Sequence, residues 1–282
     1  MRNSFIMLTV LLTGMLISCS THSLDPDYEE QLILTGYLYT GQPIDSITIA
    51  RTFPFDTKYD RVEGMVSDAT VLIATTIEEY RLQEYPEKPG VYFLPDTSVR
   101  VTAGQEYRIE VQYGEHRLLA STTAPEQVEI EKINTDSLQF LDPGQKFRLS
   151  WNLVDGADAY VLSSIASPTP RSPYAGRLAD YGEEGVMEYQ LAQFHGDTLR
   201  AFPAVSPYGV DGIEDQVEFP WFMFNWYGNY TIKLYAVRDE MMDIIISSQQ
   251  ADTFEPPADN VDGGLGIFTA MSVDSIGVCV YR

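Results

Sequence analysis

The sequence predicts an all-β protein with two β-sandwich domains and one short packing helix near the C-terminus. Apolar residues recur with a period of two in both halves, and glycine, proline and aspartate interrupt these runs at short intervals. Helical periodicity is confined to one segment. A chain of 282 residues that is 44% hydrophobic can bury cores of this kind.

Residues 1–18 are predicted to be an export signal. Arg2 supplies a basic start, and the thirteen residues from Phe5 to Ile17 are largely apolar. A membrane-spanning helix needs roughly 20 apolar residues, so this run is better explained as a cleaved signal than as a retained anchor helix.

The tetrad Leu16, Ile17, Ser18 and Cys19 resembles the lipobox of bacterial lipoproteins. In that motif the signal is removed before the cysteine, which carries diacylglycerol and an acylated amino terminus. The resemblance implies lipidation at Cys19 and a firm membrane anchor, whereas the alternative is an ordinary secretory signal that contains a cysteine.

Residues 19–30 are then a lipid anchor and polar tether, acidic at several positions. Ser20 stands where an aspartate would resemble an inner-membrane retention signal, which favours the outer membrane. The sequence leaves open whether the protein faces the periplasm or the cell surface.

The N-terminal domain is predicted to span residues 31–124. The first strand has a period of two, in which Leu32, Leu34, Gly36 and Leu38 alternate with Ile33, Thr35, Tyr37 and Tyr39. The clearest hairpin is predicted across the turn at 114–116, pairing the apolar face of 107–113 with Leu118 and Ala120.

The C-terminal domain is predicted to span residues 125–282, starting where a strand ends at Pro125. Trp151 closes one alternating strand, Tyr160 lies in a second, and a third runs from Tyr230 to Ala236. These segments resemble a fibronectin type III sandwich. The interval 167–216 is too long for the usual connections, so it is predicted to be an insertion.

The one predicted helix covers residues 239–250. Asp239 is placed to cap its first turn, where Glu240 and Asp243 suit the positive end of the helix dipole. Met241, Ile244, Ile245 and Ser248 are predicted to share the face that packs beside the sandwich.

The tail contains Phe254-Glu255-Pro256-Pro257, followed by a glycine-rich run from Asn260 to Ala270. This pattern resembles the closing signature of the DUF4249 family, lipoproteins typical of Bacteroidota. The early strand, the helix and the lipobox follow the same order, although Val261 and Thr269 replace the usual isoleucine and glycine. The resemblance implies an envelope location, no established enzymatic activity, and an accessory role beside TonB-dependent outer-membrane receptors.

The charge and the reactive residues exclude several functions. With 41 acidic and 18 basic residues, the chain lacks the basic patch that nucleic acid requires. Cys279 sits in an apolar final strand, and His195 is the only plausible catalytic base. No hydrolase or zinc-protease motif occurs, so no enzymatic activity and no cofactor are predicted.

Metal and phosphate sites have weak support. The acidic residues near 211–218 lack the spacing of a calcium loop, so a solvated loop is the preferred interpretation and no metal site is assigned. The glycines at 263–266 precede a predicted strand rather than a helix, and therefore suit a tight turn or bulge better than a phosphate loop.

The stretch 219–227 is the densest aromatic segment. Three interpretations compete for it: packing in the sandwich core, a protein-contact surface, and a platform for stacking sugars. The candidate contact residues are Trp221, Phe222, Phe224, Trp226 and Tyr227.

The leading prediction is a non-enzymatic outer-membrane lipoprotein that assists a TonB-dependent transporter. The alternative is a glycan- or peptide-binding module of the cell envelope that uses residues 219–227. An envelope hydrolase with His195 as its base is a third hypothesis.

Overall fold

The computed structural model describes residues 28–54, 57–58, 60–139, 144–166, 194–195, 198–205, 215–220, 224, 228–249 and 258–281. Most of these residues lie in β-strands, and a single helix occurs among them. The strands form several sheets with apolar faces packed together, which confirms the predicted all-β, sandwich-type class.

The strands of the N-terminal half are β1 (Leu32–Tyr39), β2 (Ile47–Arg51), β3 (Thr70–Ala74), β4 (Glu79–Arg81), β5 (Gln83–Glu84), β6 (Val91–Phe93), β7 (Glu106–Tyr113) and β8 (His116–Thr123). The later elements are β9 (Ile130–Ile133), β10 (Ser137–Gln139), β11 (Lys146–Trp151), β12 (Ala159–Ala166), β13 (Phe194–His195), β14 (Thr198–Val205), β15 (Gln216–Pro220), β16 (Gly228–Val237), helix α1 (Asp239–Gln249) and β17 (Leu265–Tyr281).

One large sheet runs through both halves of the molecule. Its strand order is β13-β14-β12-β16-β17-β1-β2-β6-β5, and β10 also pairs with β17. A four-stranded sheet, β4-β3-β7-β8, packs against its N-terminal part, and a three-stranded sheet, β15-β11-β9, packs against its C-terminal part. The result is two sandwiches that share one sheet.

The N-terminal sandwich follows the predicted alternation. Leu32, Leu34 and Leu38 are buried, with the intervening residues of β1 less so. The predicted hairpin is confirmed, because Ile109 lies opposite Ala120 and Val111 lies opposite Leu118 in the β7–β8 pair. These apolar faces join one core cluster.

The C-terminal sandwich is also built from the predicted alternating strands. Phe147, Leu149 and Trp151 of β11 are buried against the inward face of β16, which begins with Tyr230. Trp151 packs on Tyr160 of β12 with ring centroids 5.5 Å apart. These side chains form a core cluster that is separate from the cluster of the N-terminal sandwich.

The last strand, β17, belongs to both sandwiches. Its first seven residues pair in parallel with β1, from Leu265 opposite Ile33 to Met271 opposite Tyr39. From Met271 onward it pairs antiparallel with β16. Phe268 and Ala270 are buried in the N-terminal core, so this part of the predicted 125–282 domain packs with residues 31–124.

The glycine-rich segment makes a tight turn, as the sequence predicts, and it also approaches β1 closely. Gly263 and Gly266 have φ angles of 84° and 120°, which side chains disfavour. A Cβ at Gly266 would lie 1.9 Å from the carbonyl oxygen of Leu34. A strand follows, as expected, and only glycine lets it enter the sheet at this point.

The predicted helix is confirmed as α1, and its packing is close to the prediction. Met241 and Ile245 pack against a small cluster that includes Val161, Val237 and Met271, and Met242 joins them. Ile244 is partly buried and lies outside that cluster.

The cap differs from the expectation for Asp239. The Arg238 carbonyl accepts from the amides of Met241 and Met242, which makes Arg238 the capping position. The side-chain acceptor comes from Asp158, whose Oδ2 receives the Asp239 amide at 3.1 Å and pairs with Arg238 at 3.2 Å. A long-range carboxylate thus replaces the expected local cap.

Part of the predicted insertion at 167–216 continues the large sheet. Strand β14 pairs with β12 from Val205 opposite Val161 to Leu199 opposite Ala166, and β13 pairs with β14. Residues 167–193 and 206–214 lie outside the described residues. Among those described, no helix combines the length and apolar character needed to cross a bilayer.

The close approach at Gly266 yields a stability prediction. Gly266→Ala should lower the free energy of unfolding by about 3 kcal/mol or more, because it adds backbone strain and a clash with Leu34. Gly277→Ala is the matched control in the same strand, since a Cβ there lies 4.0 Å from its nearest neighbour. It should change the unfolding free energy by less than about 0.5 kcal/mol. Urea denaturation measures both, and equal effects would contradict the prediction.

Candidate functional site

The predicted lipidation residue, Cys19, lies outside the described residues. The structure does describe how the chain following it joins the body. Tyr28 donates its hydroxyl hydrogen bond to the Thr52 carbonyl at 2.5 Å, and the Gln31 amide donates to Thr52 Oγ1 at 3.0 Å. The tether therefore ends at the point where β1 begins and β2 ends.

The described residues include only part of the aromatic stretch. Phe224 is 2% exposed and packs edge-on against Tyr230, with ring centroids 5.0 Å apart. Phe219 is also buried and stacks on Phe147. Phe224 is thus a core side chain, which favours the packing interpretation for this one residue of the stretch. The other four candidates, Trp221, Phe222, Trp226 and Tyr227, lie outside the described residues.

The acidic segment near 211–218 contributes an ion-pair group. Glu218 of β15 accepts hydrogen bonds from Lys146 and from Arg148, the latter at 2.7 Å, both on neighbouring β11. The hydrogen bond from Lys146, reinforced by the one from Arg148, lowers the pKa of the Glu218 carboxyl. Asp215 is exposed, whereas Asp211 and Glu214 lie outside the described residues. Within the described ranges, no three potential ligand side chains could hold a metal ion.

The candidate catalytic residues occupy strands. Cys279 is partly buried in β17, and its amide donates to the Asp136 carbonyl at 2.9 Å. His195 lies in β13, opposite Thr198. Both positions are parts of the sheet framework, and Cys279 lies in the final strand as the sequence predicts.

A surface groove of about 490 Å³ brings together residues that the sequence analysis did not connect. It lies between the outer face of the β7–β8 hairpin, the first turn of α1 and the segment before β17. Its lining comprises Arg108, Ile109, Leu119, Ala120, Ser121, Glu240 and Asn260.

The polar groups of this groove differ in their freedom to meet a ligand. Asn260 is committed to the fold, because its side chain exchanges hydrogen bonds of 2.8 and 2.9 Å with the backbone of Phe268. Arg108 forms a two-bond pair with Glu106 at 2.9 and 3.1 Å. Glu240 Oε2 is enclosed and has no hydrogen-bond partner among the described residues. Glu240 Oε2 is therefore an acceptor whose hydrogen-bonding capacity is unused, but it is enclosed rather than open to the groove.

No local sequence signal identifies this groove. Arg108 and Ser121 lie on opposite strands of a hairpin, and Glu240 and Asn260 follow more than a hundred residues later. In the sequence, Glu240 is recognisable only as an acidic residue in the first turn of a helix, and its favourable interaction with the helix dipole explains it there.

The burial of Phe224 can be tested by stability. Phe224→Ala should lower the free energy of unfolding by about 3–5 kcal/mol, because it removes a buried ring and leaves a cavity. Tyr281→Ala, at a position 44% exposed, should cost less than about 1 kcal/mol. Thermal or urea unfolding gives both values. An unchanged stability for Phe224→Ala would contradict its assignment to the core.

Comparison with known proteins identifies a family. No curated protein matches the chain. A solved structure entitled "Anomalous substructure of Titin-A168169" is similar at 9% sequence identity, covering 90% of this chain and 98% of that chain with a TM-score of 0.19, which carries no structural argument. The sequence model described as "Domain of unknown function (DUF4249)" matches residues 21–276. Because that match spans almost the whole chain, the protein belongs to the DUF4249 family.

Proposed function

We propose that this protein is a non-enzymatic lipoprotein of the bacterial outer membrane, of the kind found in Bacteroidota, and that it assists a TonB-dependent transporter. The observation that carries the proposal is the direction of the chain. The tether joins one end of the N-terminal sandwich, and β1 and β17 run side by side away from that end toward the C-terminal sandwich.

The anchor is supported by the lipobox-like tetrad at 16–19. Cleavage before Cys19 leaves nine residues before Tyr28, which can span at most about 30 Å when fully extended. Loss of Arg2 with the signal takes the formal net charge from −23 to −24. Because an anionic leaflet repels an acidic body of this kind, firm attachment needs the lipid anchor.

The accessory role is supported by the architecture and by family membership. The shared strand β17 joins the sandwiches through hydrogen-bonded pairs on both sides, so the C-terminal sandwich is held away from the anchored end. A partner protein would then meet the C-terminal sandwich at a distance from the bilayer. The choice of a TonB-dependent transporter as the partner comes from what the family resemblance implies, and the DUF4249 match supports that resemblance.

Anchoring is tested by removing the modified thiol. Cys19→Ala should shift the protein from the outer-membrane fraction to the soluble fraction and abolish the added acyl mass, because the acyl chains supply the firm attachment. Cys279→Ala is the matched control, as it removes the other cysteine within β17 and should leave attachment unchanged. Detergent phase partition and mass spectrometry measure both outcomes. Unchanged membrane attachment of Cys19→Ala would contradict the proposed lipid anchor.

The partner is tested in native membranes. Mild cross-linking of intact cells, followed by purification of the lipoprotein, should capture a TonB-dependent receptor at a stoichiometry well above that of abundant porins. The Cys279→Ala variant should capture the same receptor. Purification that repeatedly recovers the lipoprotein without any receptor would contradict the accessory role while leaving the anchor intact.

A further inference from the structure

The end of the N-terminal sandwich that receives the tether has a defined set of residues. We call it the tether pole, and it comprises 28–31, 52–54, 57–58, 60–64, 113–116 and 262–264. The chain enters there through the Tyr28–Thr52 hydrogen bonds, and Glu30 adds an ion pair with Arg51 at 3.6 Å. The Arg51 amide in turn donates to the Gly64 carbonyl at 2.8 Å, which ties residue 64 to the same end.

Two other segments close this pole. Leu119 and Asp262 exchange backbone hydrogen bonds of 2.8 and 2.9 Å, which places the start of β8 beside the turn before β17. A Cβ at Gly264 would lie 2.6 Å from the Leu32 carbonyl oxygen and 2.5 Å from the Leu118 side chain. The turn at 113–116 therefore lies at the end where β1 starts.

The strand directions set the opposite end of the N-terminal sandwich. Strand β8 runs away from the tether pole, β7 runs back toward it, and β3 is antiparallel to β7. The turn that follows β3, with Ile77 at 84% exposure, consequently lies at the far end. The Thr40 amide at that end donates a hydrogen bond to the Met271 carbonyl, at the residue where β17 changes its partner from β1 to β16. The C-terminal sandwich therefore lies beyond that end.

The tether pole exposes apolar side chains that the local fold holds outward. Val62 is 74% exposed in a turn fixed by Asp60, whose Oδ1 accepts the amides of Val62 at 2.8 Å and Glu63 at 3.3 Å. Tyr28 is 41% exposed although its hydroxyl is bonded. A tyrosine with an apolar ring and a polar tip suits a membrane interface.

The charges of the tether pole are unevenly distributed. Residues 51–64 contain three basic and three acidic side chains, whereas the charged residues that the other parts of the pole add are all acidic, namely Glu29, Glu30, Glu115 and Asp262. Lys58 and Arg61 are exposed on either side of the Asp60 turn. Their long side chains can reach phosphate groups while the apolar neighbour enters the interface. The balanced 51–64 segment is therefore the part of the pole that an anionic leaflet repels least.

We propose that the tether pole rests on the membrane that holds Cys19, with Val62 and Tyr28 at the boundary between lipid headgroups and acyl chains. The inference rests on the lipid anchor proposed above. It adds an orientation, in which the C-terminal sandwich points away from the bilayer and the Ile77 turn stays in water.

The test uses the full mature lipoprotein in a Cys279→Ala background, where acylated Cys19 leaves any introduced cysteine as the sole free thiol. Val62→Cys and its control Ile77→Cys are labelled with the fluorophore NBD. Each protein is reconstituted into vesicles of phosphatidylethanolamine and phosphatidylglycerol, with and without doxyl-labelled lipid. Both positions are exposed, so neither substitution should disturb folding.

We expect doxyl lipid to quench the probe at 62 several-fold more than the probe at 77, with a blue shift only at 62. Equal, weak quenching in protein that floats with the vesicles would overturn the contact but keep the anchor. Protein that fails to float would overturn both. A probe at 62 that is shielded from aqueous iodide but not quenched by lipid would instead reveal a second copy on this surface, and would also overturn the proposal.

Discussion

The fold depends on β17 hydrogen-bonding to different neighbours along its length. Its first half is the parallel partner of β1, and its second half is the antiparallel partner of β16. Neither sandwich can close its large sheet without this strand, because β1 and β16 would each be left with an open edge. Gly266 permits the entry, since any side chain there would collide with the Leu34 carbonyl. The two cores are thereby coupled through a continuous backbone ladder.

Buried tyrosines hold the loops around these cores. The Tyr92 hydroxyl donates to the Val66 carbonyl and accepts the Ala69 amide, both at 2.9 Å, and burial raises its pKa to about 12. Tyr107 accepts the Thr102 amide, and Tyr160 accepts the Val154 amide. Each phenol supplies a large apolar ring to its core and a hydrogen bond to a connecting segment. These hydrogen bonds consequently fix the connecting segments in position relative to the cores.

The candidate site depends on contacts between residues that are far apart in the sequence. The aromatic stretch draws attention by composition alone, yet the structure buries Phe224 against Tyr230 in the C-terminal core. The groove that contains Glu240 arises instead from the outer surface of a hairpin and a distant helix. Its residues are unremarkable in sequence, since each has an ordinary local explanation. The DUF4249 match identifies the family, and the proposed anchor and partner extend beyond it.

Sequence alone determined the all-β class, the hairpin at 107–120, the helix and the need for glycine before β17, because periodicity and backbone preference act over a few neighbouring residues. The tertiary structure decided which sandwich each strand completes. Phe268 and Ala270 pack with the N-terminal core although they lie near the C-terminus, and Asp158 caps a helix that begins at Asp239. Such pairings depend on which edges and orphan amides meet in space, and no local pattern encodes that meeting.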